Sequence, residues 1–390
     1  MPNNSKSPRT AIFIICTFLY WFSLYVYVPT MTPYLADLGI SFTMIGLIGG
    51  SYGFSQMVLR IPLGILSDRL GKRKLFIILG FIVCVISTAG MFVTQNPYII
   101  LTLRLFAGVA ASAWVVMTIL FTGYFEKGKQ ASRMSYLLAA NFGGLMIARL
   151  IGGVIAERFG HEYTFLAGGA AGLLAIILSL FITEKATQPE ELPSLRNLVG
   201  VIKDNNLIAM SILGIFTQMV LHSTTNTFTS EAGTQAGATL QQLGVIAAAA
   251  SIPAILTSVV CGKIFIRRNL NVRYFLVAGF LLQAIGSIVI TFGTLTIPTV
   301  YISTIIIAFG CGLCFSTLIS FCTRNIDEGR RSAAMGFFQA IYALGMFAGP
   351  VIMGILVDHA GLSNGFLAPA AFAAMGLILT VVMIKNKQRD

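Results

Sequence analysis

Three arginines, Arg60, Arg104 and Arg149, stand inside long apolar stretches of this 390-residue chain. A guanidinium is costly in hydrocarbon and turns toward a protein cavity or a partner. Its planar fork binds carboxylate or phosphate through paired hydrogen bonds. All fourteen acidic residues, Asp37, Glu157, Glu231 and Asp358 among them, fall in loops or at expected helix ends. No carboxylate is thus in place at mid-membrane depth, and an anionic or zwitterionic ligand would supply the missing charge. Gln218, His222 and Asn226 recur at i, i+4 and i+8 with Thr225 and Thr229 alongside, which makes a polar stripe on one helix face. His222 is the only histidine inside an apolar stretch; an ordinary imidazole pKa of about 6.5 lets it take and release protons near neutral pH. His222, Asp37 and Glu231 are the candidates for proton coupling. Tyr52, Gln56 and Arg60 form a second stripe, and Asn141, Tyr20, Tyr27, Gln339 and Tyr342 are further candidates to line a ligand path.

The elements that must position these residues are membrane helices. The chain is 56% hydrophobic and 10% charged, with a mean hydropathy of +0.84, values that exclude a water-soluble domain of this length. Crossing about 30 Å of hydrocarbon takes about 20 apolar residues. Twelve such stretches fall near 11–36, 44–67, 74–94, 97–124, 132–156, 162–183, 205–230, 240–266, 272–293, 297–323, 331–356 and 363–384.

The net charge of +12 reads as a topology signal rather than a nucleic-acid surface. The N-terminus, the loops after even-numbered stretches and the C-terminus hold 22 of the 26 basic residues, and Arg158 alone lies in a loop on the other side. Both termini are therefore expected in the cytoplasm. The first apolar stretch is too long for a cleavable signal peptide and has no small-residue cleavage site, so it is expected to stay as a helix. All six cysteines lie in or at the inner ends of expected helices, which argues against a disulfide framework. The Cys311-x-x-Cys314 pair has no second ligand pair for a metal. No clustered nucleophile, base or metal set points to an enzyme, and no phosphate loop points to ATP-driven work.

The chain duplicates itself. Gly39, Gly46 and Gly64 recur as Gly237, Gly244 and Gly262 at an offset of 198, and Gly128, Met134, Gly144, Gly153 and Gly160 recur as Gly329, Met335, Gly345, Gly354 and Gly361 at an offset of 201. Two six-helix halves follow, 1–183 and 205–390. Residues 184–204, with Pro189, Glu190, Glu191 and Pro193, form a polar linker in which Leu195, Leu198, Val199 and Ile202 suggest a short interfacial helix.

Between the second and third stretches runs Gly64-Ile-Leu-Ser-Asp68-Arg69-Leu-Gly71-Lys72-Arg73-Lys74. It resembles the G-x-L-x-D-R-x-G-R/K-R/K signature of the major facilitator superfamily, in the loop where that family carries it. The second copy has decayed to Gly262-Lys-Ile-Phe-Ile-Arg267-Arg268. Leu101-Thr-Leu-Arg104-Leu-Phe-Ala-Gly108 resembles the fourth-helix motif of proton-linked exporters, with Ala107 where the motif has glutamine. The exporter-associated G-x-x-x-G-P-x-x-G pattern has Ala148-Arg149 in place of Gly-Pro in the fifth stretch, and its Gly-Pro stands instead in the eleventh as Gly349 and Pro350 of Gly345 to Gly354, with one more residue before the last glycine.

The resemblance implies an all-α membrane protein of twelve helices in two pseudo-symmetric bundles that rock about a central path. It implies a monomer in the bacterial cytoplasmic membrane, most like the drug:proton antiporter exporters, that carries a small amphipathic molecule with protons and needs no cofactor or metal. An anionic metabolite, siderophore-like acid or lipid-like anion held by the intramembrane arginines is the alternative cargo. The aspartate matching Asp68 would latch onto the start of helix 11 and hold the outward-open state, and Gly64 would allow close helix contact there. Arg69, Gly71, Lys72, Arg73, Gly108, Gly349 and Pro350 complete the residues expected in conformational change.

Overall fold

The computed structural model describes residues 8–126, 129–184, 200, 202–257, 271–327 and 330–384. Regular structure among the described residues is entirely helical. Its long spans, bends included, are α1 (Arg9–Asp37), α2 (Phe42–Leu70), α3 (Arg73–Phe92), α4 (Pro97–Thr122), α5 (Arg133–Phe159), α6 (Glu162–Ser179), α7 (Asn205–Gln235), α8 (Leu240–Thr257), α9 (Val272–Phe292), α10 (Ile297–Cys322), α11 (Ala333–Ala360) and α12 (Leu362–Met383). All but α2 are long and apolar enough to cross a membrane on length and composition alone. α2, at 29 residues, is long enough but carries Arg60, Asp68 and Arg69. Leu173, Leu174 and Ile177 of α6 and Ile378 and Val382 of α12 are exposed, an arrangement that suits a hydrocarbon solvent.

The duplication is built into the backbone. Gly39 and Gly237 end α1 and α7 with φ of 74° and 86°, and the repeat-related Gly160 and Gly361 end α5 and α11 at 108° and 83°. A side chain is strained at such values, so glycine stops the helix and turns the chain.

Two repeat-related helices are irregular at matching depth. α1 divides into Pro8–Tyr25 and Val28–Asp37, because Pro29 has no N–H to give the Tyr25 carbonyl. Position 224 is Val26 shifted by 198, and there α7 makes a π turn over Thr224–Phe228. No proline is involved; hydroxyls compete for the carbonyls, Thr224 Oγ1 donating to Val220 O at 2.7 Å and Thr227 Oγ1 to His222 O at 2.8 Å. The expected stripe Gln218, His222, Asn226 assumed one unbroken helix, so the π turn is a correction to it. α4 also breaks, at Ala113.

Within the N-terminal half α1 packs on α5 and α6, α2 on α4, and α3 on α4 and α6; within the C-terminal half α7 packs on α10, α11 and α12, and α9 on α10 and α12. The halves meet mainly where α2 lies along α11 and α5 along α8. Small residues bring the backbones together: a Cβ on Gly46 would stand 2.3 Å from Pro350 O, one on Gly50 2.5 Å from Phe347 O, and one on Gly153 2.8 Å from Leu240 O. These contacts lie toward the face opposite the chain termini, called here the distal face. Toward the termini face such contacts lapse among the described residues: there a Cβ on Gly64 would meet Val115 of its own half alone, at 3.8 Å, and one on Gly336 would meet nothing within 4 Å. Among the described residues, Gly64 makes no close contact with the other half, contrary to expectation. Among the described residues, then, the halves are shut at the distal face and make no such backbone contact at Gly64 or Gly336.

Several expectations lie outside the described residues: the side chain of Asp68, Lys127 and Gly128, most of the linker including its interfacial helix, Cys261 and the decayed repeat Gly262 to Arg268. The other five cysteines are buried and none of them forms a disulfide.

Candidate functional site

The three arginines converge from different helices on the seam between the halves. Arg104 of α4 is 4% exposed. Its Nη1 donates to Tyr27 Oη at 2.6 Å, and its guanidinium carbon lies 4.8 Å from the centre of the Tyr52 ring and 5.4 Å from that of Tyr27. Tyr52 of α2 stacks in turn against His222 of the other half, ring centres 6.4 Å apart. The face of Tyr52 therefore joins an N-terminal cation to the C-terminal half through a ring quadrupole.

Arg149 of α5 reaches across the seam. Nη1 donates to Ala247 O and Ser251 Oγ of α8 and Nη2 to Asn226 Oδ1 of α7, each at 3.0 Å. The guanidinium lies 5.7 Å from the Tyr25 ring centre, and Asn226 Nδ2 stands 3.4 Å from His222 Nδ1. Arg60 of α2 donates to Gln56 Oε1 and, at 3.0 Å across the seam, to Tyr342 Oη of α11. Tyr342 is held by the rings of Phe315 and Phe338 at 5.6 and 5.2 Å. Nε of each arginine is buried without a partner, and no carboxylate among the described residues pairs with any of the three. Among the described residues each cation is thus held by neutral acceptors and aromatic faces.

Other expected residues fall in place unevenly. Gln218 is buried with Oε1 unpartnered, Asn141 is buried, and Gln339 is half-buried. Tyr20 turns into its own half instead of lining a path: its hydroxyl donates to Ala110 O and its ring packs 5.0 Å from Phe81. Glu231 is 6% exposed within the last turns of α7, with Oε1 accepting from Gln235 Nε2 at 3.0 Å and Oε2 unpartnered. Asp37 is exposed at the end of α1.

Of the residues expected in gating, Pro350 sits in the seam against Gly46, whereas Gly108 backs onto Tyr52 O and Gly349 onto Met219 O within their own halves. Arg69, Gly71 and Lys72 are exposed at the termini face. The amides of Arg73 and Lys74 donate to Glu184 at 2.6 and 3.1 Å, so this end of the signature caps α3 inside one half. Tyr25 and Ser251 were not anticipated. Their importance depends on where α5 crosses α8, and nothing in the spacing of either residue signals it.

Twelve spans in two repeats, with a polar cluster on the seam and closure at the distal face, define a membrane carrier whose path runs between its halves. The sequence profile of the Major Facilitator Superfamily matches residues 13–269 and 211–390, and the chain belongs to that superfamily. It is 26% identical over 366 residues to the uncharacterized MFS-type transporter MJ1560 of Methanocaldococcus jannaschii, covering 92% of this chain and 93% of the relative. It is 25% identical over 384 residues to the quinolone resistance protein NorA of Staphylococcus aureus, 95% of each. The fold matches a mutant form of the nucleoside transporter NupG with a TM-score of 0.82 at 14% identity, over 97% of this chain and 100% of that one. It matches a bacterial homolog of the human lysosomal transporter Spinster, in an inward-facing and occupied conformation, at 0.82 and 15%, over 98% and 97%.

Proposed function

We propose that the protein is a secondary carrier working by alternating access, which exports a small amphipathic molecule bearing an anionic group in exchange for protons. One observation carries the reading: three buried guanidinium groups on the seam have no carboxylate partner among the described residues. Burying an unpaired cation is costly, and a cargo that supplies the anion lowers that cost while bound. Trp21, Trp114 and Tyr25 lie beside this cluster, Trp21 within 5.5 Å of Trp114 and 5.9 Å of Tyr25, and offer an apolar wall for the rest of the molecule. The likeness to a quinolone resistance protein supports outward movement of amphipathic compounds. The charge bias of the loops supports both termini in the cytoplasm, so that the distal face is the outer one and the state seen is inward-open. Protons would move through His222 and Glu231, with Asp37 at the outer end.

Thermal unfolding of the purified protein against amphipathic carboxylates and quaternary ammonium compounds of matched apolar body tests this. A ligand of the folded state raises the midpoint in proportion to the logarithm of its concentration over Kd. Carboxylates are expected to stabilise wild type and to lose the effect in Arg149→Ala. Stabilisation by the cations alone, in both proteins, would overturn the anionic reading and leave a general exporter of lipophilic cations.

A further inference from the structure

The distal closure is fastened by two carboxylates, one from each half, that nothing in the superfamily signature at Gly64 to Lys74 accounts for. Asp358, near the end of α11, accepts the first free amides of α2 with both oxygens: Phe42 N to Oδ1 at 2.9 Å and Thr43 N to Oδ2 at 2.8 Å. Glu157, near the end of α5, accepts from Gln241 N at the start of α8 at 3.3 Å. All three bonds cross from one half to the other. Glu157 and Asp358 are related by the repeat offset of 201, and Phe42 and Leu240, the first residues of α2 and α8, by the offset of 198. Two crossings of the seam, related by the pseudo-symmetry, thus use the same chemistry: an anion set on the unsatisfied N–H groups and positive end of a helix.

We propose that Asp358 and Glu157 are positioning residues of the transport cycle, which hold the distal gate shut in this state and must let go for it to open. Opening separates α2 from α11 and α5 from α8, so each amide would exchange its carboxylate for water. Both side chains are exposed, which keeps each clasp weak enough to break in every cycle. The inner signature, by contrast, survives in only one of its two copies, while both copies of the distal pair are kept. Asp358, with two bonds, is the stronger of the two. The inference stands whatever the cargo is.

The test is an electron-spin distance measurement without ligand, on the purified full-length chain labelled at Gln95→Cys and Thr294→Cys. These positions are exposed in the distal loops of opposite halves. Cys261 is replaced by serine, the other five cysteines being buried. Asp358→Ala is expected to raise the long-distance, distally open population about three- to fivefold, Glu157→Ala by less, and the pair by about the product. Asp358→Asn, which keeps an acceptor oxygen without the charge, falls between. Glu162→Gln, an acid of the same face at the start of α6, is the control for general surface charge. A distribution unchanged in the double variant overturns the proposal, and so does a shift no larger than that of Glu162→Gln. Should Asp358→Ala not fold, Glu157→Ala reads the repeat-related clasp by the same measurement.

Discussion

A guanidinium satisfied by neutral groups is held differently from one in an ion pair, and the three arginines grade by how fully they are held. Among the described residues Arg149 makes three hydrogen bonds, all into the opposite half, Arg60 makes two, one of them across the seam, and Arg104 makes one, to Tyr27. Tyr27→Phe should therefore strip Arg104 of its hydroxyl acceptor and destabilise the protein by about 1–3 kcal/mol, read as a lower unfolding midpoint in detergent. An unchanged midpoint would mean that Arg104 has a further acceptor. Arg149→Lys keeps the charge but cannot span Ala247 O, Ser251 Oγ and Asn226 Oδ1 with one ammonium. Binding of an amphipathic carboxylate should weaken by about tenfold, because the fork rather than the charge orients the anion; titration calorimetry on both proteins decides. The sequence placed these arginines inside apolar stretches with no carboxylate at their depth. It could not show their neutral partners, since Ser251 and Asn226 reach Arg149 only through the crossing of three helices. Tyr20 went astray for the same reason: helical spacing placed it on a face, but its hydroxyl is taken by Ala110 O and its ring by Phe81, both within its own half.

Element by element, twelve spans were legible because about 20 apolar residues bounded by charge is a pattern that little else produces, and the repeat was legible because its glycines are fixed by turns and close contacts. The breaks in α1 and α7 were not read. In α7 the π turn comes from side-chain hydroxyls competing for carbonyls, an effect the period of hydrophobicity does not carry. The glycines also divide by what they press on, and the division is testable. A Cβ on Gly152 of α5 would stand 1.8 Å from Val26 O within one half, whereas one on Gly50 of α2 would stand 2.5 Å from Phe347 O across the seam. Gly152→Ala should damage the N-terminal bundle itself, with a lower midpoint and a poor yield of folded protein. Gly50→Ala can be relieved by parting the halves, so it should keep its midpoint and favour the distally open state in the same spin-distance measurement. Equal loss of folded protein in both would mean that the halves do not move as units.

For the molecule as a whole, state preference is a balance of seams at opposite ends. The distal end is shut here by Gly46, Gly50 and Gly153 in backbone contact and by the two carboxylate clasps. The other end holds Asp68, whose type and place in the sequence resemble a latch that closes the termini side. Asp68 is 26 positions from Phe42 on α2, which at 1.5 Å per residue puts the two clasps of this helix about 40 Å apart. Sites that far apart contribute independently to stability, and the same independence should hold for the equilibrium between states. Asp68→Asn alone is then expected to deepen the preference for the distally closed state seen here. Asp358→Ala alone should raise the open population, and the two together should return it toward the wild-type value, with free energies that add within about 0.5 kcal/mol. The spin-label pair at Gln95 and Thr294 reads all four proteins in one series. If Asp68→Asn instead moves the population in the same direction as Asp358→Ala, the two acids do not oppose each other, and the balance of latches is not what sets the resting state of this carrier.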